Sequence, residues 1–196
     1  MPWWLWELLR SFKFLSASGQ EGFWRSKRIY ELVIPLVISA SSAVVYVKWP
    51  SFFQTDLLSK FSASLFQFMV FVVPFHLAAL AAIATFARSN MDKPLRGADV
   101  SIRVWDNADS QYFYKSLTLR QYTCLLFGYL CSIGLTFIVI FVLLSGLNLE
   151  WLLGDWVGRA KQLAFFLLMF FLAHYATLTV YAITFLFDKV NGIDEK

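Results

Sequence analysis

Four long stretches without a charged residue constrain the fold of this chain more than any other feature. They cover residues 32–47, 61–87, 121–149 and 162–187. A helix needs about 20 mainly apolar residues to cross the hydrocarbon core of a bilayer, and the last three stretches exceed that length. A water-soluble helical bundle needs a polar face on every helix, which such stretches do not supply. We therefore predict an all-α integral membrane protein with four transmembrane helices.

Interfacial residues set the predicted bounds of the spans. The first stretch becomes long enough when residues 29–31 are added, with the Glu31 carboxylate at one interface and Trp49 at the other. The predicted transmembrane segments are residues 29–49, 61–87, 121–149 and 162–187. Only 15% of all residues are charged, against about 25% in ordinary soluble domains. This composition excludes a typical water-soluble enzyme domain, a disordered segment and a disulfide scaffold.

The distribution of Lys and Arg predicts how the spans are oriented. Thirteen of the 17 basic residues fall in the terminal segments, 1–28 and 188–196, or in the long loop 88–120. The others lie in or next to the short loops 50–60 and 150–161. Since cytoplasmic segments are enriched in Lys and Arg, both termini and the long loop are predicted to be cytoplasmic. The net charge of +4 reflects this topology, so we expect no direct binding of nucleic acid.

The N-terminal segment 1–28 has an amphipathic pattern. At 100° per residue, the apolar side consists of Trp4, Leu5, Leu8, Leu9, Phe12 and Leu15. The opposite side consists of Glu7, Arg10, Ser11 and Lys13. This pattern predicts a helix that lies in the cytoplasmic interface, with its tryptophans at headgroup depth. The alternative is the first turn of a helix that packs against the protein.

The loop 88–120 has a pattern typical of a small folded element. Apolar and polar residues alternate from residue 100 to 105, which predicts a short strand, and 106–110 has the composition of a turn. Residues 111–115 fit either a returning strand, which would make a β-hairpin, or the first turn of a helix. Thr118 followed by Gln121 matches a capping box, so the third span is predicted to begin near Arg120.

A structured loop of this length is usually functional. Its basic and aromatic residues predict a surface that docks a soluble protein. The candidate docking residues are Arg96, Arg103, Trp105, Tyr112 and Tyr114. The alternative is a cap that packs on the spans and contacts lipid headgroups.

The two histidines lie near the middle of the second and fourth spans, at similar predicted depth. Together with two polar residues on the fourth span they form a candidate intramembrane polar site. Its members are His76, His174, Thr177 and Tyr181. Three interpretations are open: buried neutral side chains bonded to hydroxyl groups, a proton or ion pathway, and ligation of one b-type haem by both histidines. The first is favoured, so we predict no cofactor.

Small residues recur every four positions along the third span. They are Cys124, Gly128, Ser132 and Thr136, and they predict a seam where another helix approaches closely. Cys131 lies beside the seam. The two cysteines are about 10 Å apart along a helix, which is too far for a disulfide, and their spacing is not that of a zinc site.

No motif of an enzyme is present: the sequence lacks a phosphate-binding loop, a zinc-protease motif and a nucleophile elbow. We expect no catalytic residue and no metal. These features favour a non-enzymatic membrane scaffold that forms a homo-oligomer and presents a cytoplasmic docking surface. A small ion- or proton-conducting channel or pore is the alternative, although the predicted spans contain no Asp, Lys or Arg apart from Lys48 at the end of the first one.

The chain resembles the membrane subunit of the Kiwa anti-phage defence system of bacteria. The resemblance rests on length, four spans, inside termini, the absence of catalytic motifs and a hairpin-like loop that runs from Trp105-Asp106-Asn107 to Leu119-Arg120-Gln121-Tyr122. It covers the whole chain in architecture. It implies a homo-oligomeric sensor in the bacterial inner membrane that responds to envelope disturbance and recruits a soluble, DNA-binding effector. No functional residue of the family is carried over.

Overall fold

The computed structural model describes residues 9–17, 26–54, 56–85, 91–92, 95, 100–106, 110–147 and 154–191. These residues are mostly helical. The α-helices are α1 (Lys13–Ser16), α2 (Ile34–Lys48), α3 (Leu57–Thr85), α4 (Leu119–Ser145) and α5 (Val157–Asn191). The strands β1 (Ser101–Asp106) and β2 (Gln111–Ser116) lie between α3 and α4. Single turns of 3₁₀-helix cover Arg10–Phe12, Pro50–Phe52 and Gly154–Trp156, and a π-helix covers Ile29–Val33.

Four helical segments are long and apolar enough to cross a membrane, as the sequence predicts. They are Ile29–Lys48, Leu57–Thr85, Leu119–Ser145 and Gly154–Asp188. Their sides expose large apolar side chains; Phe75, for example, is 72% exposed. Such surfaces suit lipid and are rare on soluble monomers. This pattern indicates a multi-pass membrane protein.

The first span begins with a π-helix because of a proline. Pro35 lies in the first turn of α2 and has no backbone N–H to donate to the carbonyl of Glu31, four residues earlier. Its ring also crowds that carbonyl, and a wider turn relieves the clash. The sequence predicts the Glu31 carboxylate at the membrane interface. In the structure Glu31 is buried, with 2% of its surface exposed.

The chain divides into two compact units. The first comprises residues 1–27, 74–133 and 182–196, and the second comprises 28–73 and 134–181. Helices α3, α4 and α5 each contribute residues to both.

In the first unit, the N-terminal segment packs on α4 through aromatic rings. Phe14 is fully buried, and its ring centroid lies 5.9 Å from that of Tyr122 and 5.4 Å from that of Tyr129. Lys27 Nζ lies 4.3 Å from the centroid of the Phe14 ring and donates a hydrogen bond to the Phe14 carbonyl. The cation and the two tyrosines therefore anchor α1.

The predicted interfacial helix is only partly within the described residues. Residues 1–8 lie outside them, and residues 10–16 form one 3₁₀ turn followed by one α-helical turn. Leu9 and Leu15, on the predicted apolar side, are exposed, whereas Phe14 is the buried residue. The aromatic contacts of Phe14 explain why this side chain, and not the predicted apolar side, is buried. Around α1 the structure therefore agrees with the alternative interpretation, a helical turn that packs against the protein.

The loop contains a β-hairpin, which is one of the two structures that the sequence allowed. Strands β1 and β2 are antiparallel, with Ser101 opposite Ser116 and Asp106 opposite Gln111. The returning segment is therefore a strand and not a helical turn. The capping box is also confirmed: the Gln121 side chain accepts from Thr118 N–H, and the Thr118 hydroxyl accepts from Gln121 N–H, each at 3.2 Å.

The second unit is closely packed around a glycine. A Cβ atom at Gly134 would clash with Cγ2 of Val73 and would lie 3.3 Å from the hydroxyl oxygen of Tyr175. Stacked phenylalanines continue the core, with 4.6 Å between the ring centroids of Phe137 and Phe171. Gly134 is needed at this point because the two helices that carry Val73 and Tyr175 leave no room for a side chain.

Candidate functional site

The hairpin brings four of the five predicted docking residues onto one face. Arg103 lies opposite Tyr114, and Trp105 lies opposite Tyr112. Side chains of directly opposed residues point to the same side of a sheet, and alternate residues of one strand share a face. We call these four residues the docking face. Arg96, the fifth predicted residue, lies outside the described residues.

Three side chains of the docking face contact one another. The Trp105 and Tyr112 rings meet edge to face, with 4.8 Å between their centroids. The Arg103 guanidinium lies over the Tyr112 ring, with its Cζ 4.1 Å from the centroid. Trp105, Tyr112 and Tyr114 are 47%, 56% and 70% exposed. The contacts hold the rings and the cation in one arrangement while their outer surfaces stay open.

The opposite face of the hairpin mixes apolar and polar residues. Val104 lies opposite Phe113, and Ile102 lies opposite Lys115. Ile102 and Val104 are half-buried, and β1 lies next to α1. On this face the β1 residues are therefore partly covered, whereas the β2 residues are exposed, as the docking face is.

Arg120 joins the base of the loop to two helices. Its guanidinium forms two hydrogen bonds with the Asp92 carboxylate, at 2.8 and 3.2 Å. Its remaining nitrogen, Nη1 of Arg120, donates to the carbonyls of Ile83 and Ala84, at 3.0 and 3.3 Å. These carbonyls belong to the last turn of α3, and Arg120 itself lies in the first turn of α4. Sequence reasoning assigned no role to Arg120 beyond the start of the helix.

In the second unit, His174 bonds to the π-helix of the first span. Its Nδ1 lies 2.6 Å from the carbonyl oxygen of Glu31, the carbonyl to which Pro35 has no N–H to donate. A carbonyl oxygen only accepts, so Nδ1 carries the proton. His174 is buried, and the Phe170 ring lies parallel to its ring at 6.0 Å. This histidine therefore supplies the hydrogen bond that the proline removes.

The other predicted intramembrane residues have different surroundings. Tyr181 stacks on Tyr30, with 4.4 Å between ring centroids, and Thr177 is half-buried. His76 is buried in the first unit, where its ring lies 5.7 Å from that of Phe127. His174 belongs to the second unit. The sequence did not indicate Glu31 or Tyr30 as neighbours of this site, although the proline four residues after Glu31 was a readable signal.

The residues of the predicted seam on α4 are half-buried or exposed within one chain. A Cβ atom at Gly128 would have nothing within 4 Å, Cys124 and Ser132 are half-buried, and Thr136 is exposed. Gly134, where α4 is closely packed, lies about 120° around the helix from Gly128 and therefore on a different side of α4. The seam itself stays a prediction.

Metal chemistry has no visible basis in the described part of the chain. Within it, no group of three His, Cys, Asp or Glu side chains is placed to hold an ion, and Cys124 and Cys131 are free thiols.

The chain matches no family model, no curated protein and no solved structure.

Proposed function

We propose that this protein is a non-enzymatic membrane subunit that forms a homo-oligomer and recruits a soluble protein to the docking face. The observation that supports this most directly is the set of Arg103, Trp105, Tyr112 and Tyr114 on one exposed face of the hairpin. Tyr, Trp and Arg are the residue types that dominate the energetics of protein interfaces. The contacts among Arg103, Trp105 and Tyr112 lower the entropy that binding would otherwise cost.

The positive-inside pattern supports a cytoplasmic location for this face. With the resemblance to the Kiwa membrane subunit, it leads to a specific role. The protein resides in the bacterial inner membrane, with both termini inside, responds to envelope disturbance during phage attack and recruits a soluble effector. The recruited effector, rather than this subunit, contacts nucleic acid.

Arg120 supplies a physical route from the membrane to the docking face. It binds the end of α3, the loop through Asp92, and the start of α4 at once. A relative shift of these two helix ends would change the position of the loop between them. Lateral pressure or curvature acting on the spans is therefore the stimulus that this connection would transmit.

The test compares two charge reversals on opposite faces of one hairpin. Affinity purification from the native host, followed by mass spectrometry, identifies the soluble partner, which is then titrated as purified protein onto the membrane subunit in nanodiscs. Arg103→Glu should weaken binding at least about tenfold, as expected for an interface arginine. Lys115→Glu, on the opposite face, is the matched control and should bind normally.

Other outcomes would contradict the proposal. Equal binding by both variants would exclude the docking face. If no partner is recovered and Arg103→Glu instead lowers retention on liposomes that contain anionic lipid, the hairpin is a headgroup-binding cap.

Ion or proton conduction is the second candidate function, and one observation favours it. Glu31, an ionisable residue of the first span, is buried on the turn that bonds to His174. Buried ionisable groups within membrane spans commonly line proton or ion routes. A flux of protons or alkali ions in liposomes that Glu31→Gln abolishes, and Glu31→Asp retains, would support this function. Liposomes no leakier than protein-free controls would exclude it.

A further inference from the structure

Among the residues that the structure describes, none forms a backbone hydrogen bond with the outer edge of strand β2. Leu117 N–H donates to the Val100 carbonyl at 3.0 Å, and these two residues continue the pairing register of β1 and β2. N–H and C=O groups of successive residues alternate between the two sides of a strand. Odd-numbered residues of β2 therefore use their backbone groups toward β1, and Tyr112, Tyr114 and Ser116 direct theirs outward.

This edge has few of the features that usually protect a strand edge. All six residues of β2 are exposed, and the two-stranded sheet ends at this strand within the described residues. β2 contains no proline, its register with β1 has no bulge, and Lys115 is its one charged residue. Its sequence is rich in aromatic residues, which favour strands. An edge of this kind is a template for pairing with another chain.

We propose that this edge pairs with β2 of a second copy of the protein, antiparallel about a two-fold axis at Phe113. The inference rests on the oligomerisation that the proposed function includes and identifies one contact of that oligomer. The pairing joins two hairpins into one four-stranded sheet. Tyr114 N–H donates to the Tyr112 carbonyl of the second copy, and Tyr112 N–H donates to the Tyr114 carbonyl.

The strand is self-complementary in this register. Phe113 lies opposite Phe113 of the second copy, and Tyr112 lies opposite Tyr114. Lys115 lies opposite the neutral Gln111, so no like charges face each other. Aromatic pairs across strands stabilise a sheet, and opposed like charges destabilise it. This match between the strand and itself is the reason to choose a second copy over an unrelated partner strand.

The membrane adds a condition on the orientation of the joined sheet. Two copies inserted in the same direction are related by an axis along the membrane normal, and the two-fold axis of antiparallel strands is perpendicular to their sheet. The joined sheet must therefore lie parallel to the membrane. The face with Val104 and Phe113 would then be directed to the membrane surface and the docking face to the cytoplasm, where a soluble partner can reach it.

The main experiment is disulfide formation between two copies of the full-length protein in native membranes, with Cys124→Ser and Cys131→Ala as background. In the proposed register the two Phe113 residues form a non-hydrogen-bonded pair with about 4.5 Å between Cα atoms, which suits a disulfide. Phe113→Cys should cross-link most of the protein under mild oxidation. Val104→Cys, one strand further from the axis on the same face, is the control and should remain uncross-linked.

A second variant tests the backbone hydrogen bonds themselves. Tyr114→Pro removes an N–H that β1 does not use, and proline is tolerated at such edge positions. It should weaken association of two copies about thirtyfold, since two symmetric bonds worth about 1 kcal/mol each are lost. Tyr114→Ala keeps the N–H and should retain more of the Phe113→Cys cross-link than Tyr114→Pro does.

The outcomes separate this inference from the proposed function. An oligomer in nanodiscs whose Phe113→Cys variant does not cross-link, or cross-links no better than Val104→Cys, overturns the edge pairing and leaves oligomerisation intact. A monomer overturns both. A cross-link from Phe113→Cys to a different protein shows that the edge belongs to that partner and overturns the second copy.

Discussion

Two helix carbonyl sites in this molecule have the same chemical requirement and opposite surroundings. At the end of α3, the carbonyls of Ile83 and Ala84 accept from Arg120, whose side chain is partly exposed beside the more exposed Asp92. In the first span, the carbonyl of Glu31 accepts from the buried His174. Water can replace the Arg120 donor at the end of α3. It has no access to the carbonyl of Glu31. The same type of bond should therefore be worth far more in the buried site.

The largest expected effect is the loss of the buried donor. His174→Phe keeps an aromatic ring next to Phe170 and removes the N–H that Glu31 accepts. The free energy of unfolding in mixed detergent should fall by about 1–3 kcal/mol, the cost of a buried carbonyl left unsatisfied. His174→Asn is the control, because its amide nitrogen replaces Nδ1, and it should recover part of the loss.

The Pro35 argument can be tested in the same background. Pro35→Ala restores an N–H four residues after Glu31, which gives its carbonyl a partner within the helix. His174→Phe should then cost less in the Pro35→Ala protein than in the wild type, and the double-mutant cycle measures the difference. Additive losses would mean that His174 stabilises the span by ring packing alone.

A similar loss is expected at the glycine of the closely packed unit. Gly134→Ala places a methyl group against Val73 and Tyr175, and overpacking of this kind typically costs about 1–3 kcal/mol. Gly128→Ala is its matched control on the open side of the same helix. The free energy of unfolding in mixed detergent, measured for both variants, should be clearly higher for Gly128→Ala than for Gly134→Ala. Equal stability would show that Val73 moves aside without cost.

The sequence predicted this molecule well where the signal is local. Uncharged length indicates the four helices, alternation from residue 100 indicates β1, and the spacing of Thr118 and Gln121 indicates the start of α4. The contacts of Arg120 with Ile83 and Ala84 could not be predicted, because these two residues are distant from Arg120 in the sequence. Gly128 and Gly134 show the same limit, since small size alone does not reveal which side of α4 meets a neighbour.

The burial of Glu31 depends on a contact that is distant in sequence. A carboxylate at the end of an apolar stretch is expected at the membrane interface, and that depth stays a prediction. Among the residues around Glu31, only Pro35 indicates a further contact. The proline removes a helix donor, the carbonyl then needs another, and His174 is 143 residues away. The hydrogen bond between them holds this turn against α5, and Glu31, which lies on the turn, is buried.

The smallest expected effect on stability, and the one that best separates structure from function, is at Arg120. Arg120→Gln retains donors for the Ile83 and Ala84 carbonyls and loses the two bonds with Asp92. Because water reaches this site, the midpoint of unfolding should shift much less than in His174→Phe. Binding of the soluble partner should nevertheless respond more weakly to membrane curvature, because the loop is no longer tied to both helix ends. Asp92→Asn should behave in the same way. If partner binding in both variants follows vesicle curvature as in the wild type, Arg120 stabilises the helix ends without transmitting their movement to the docking face.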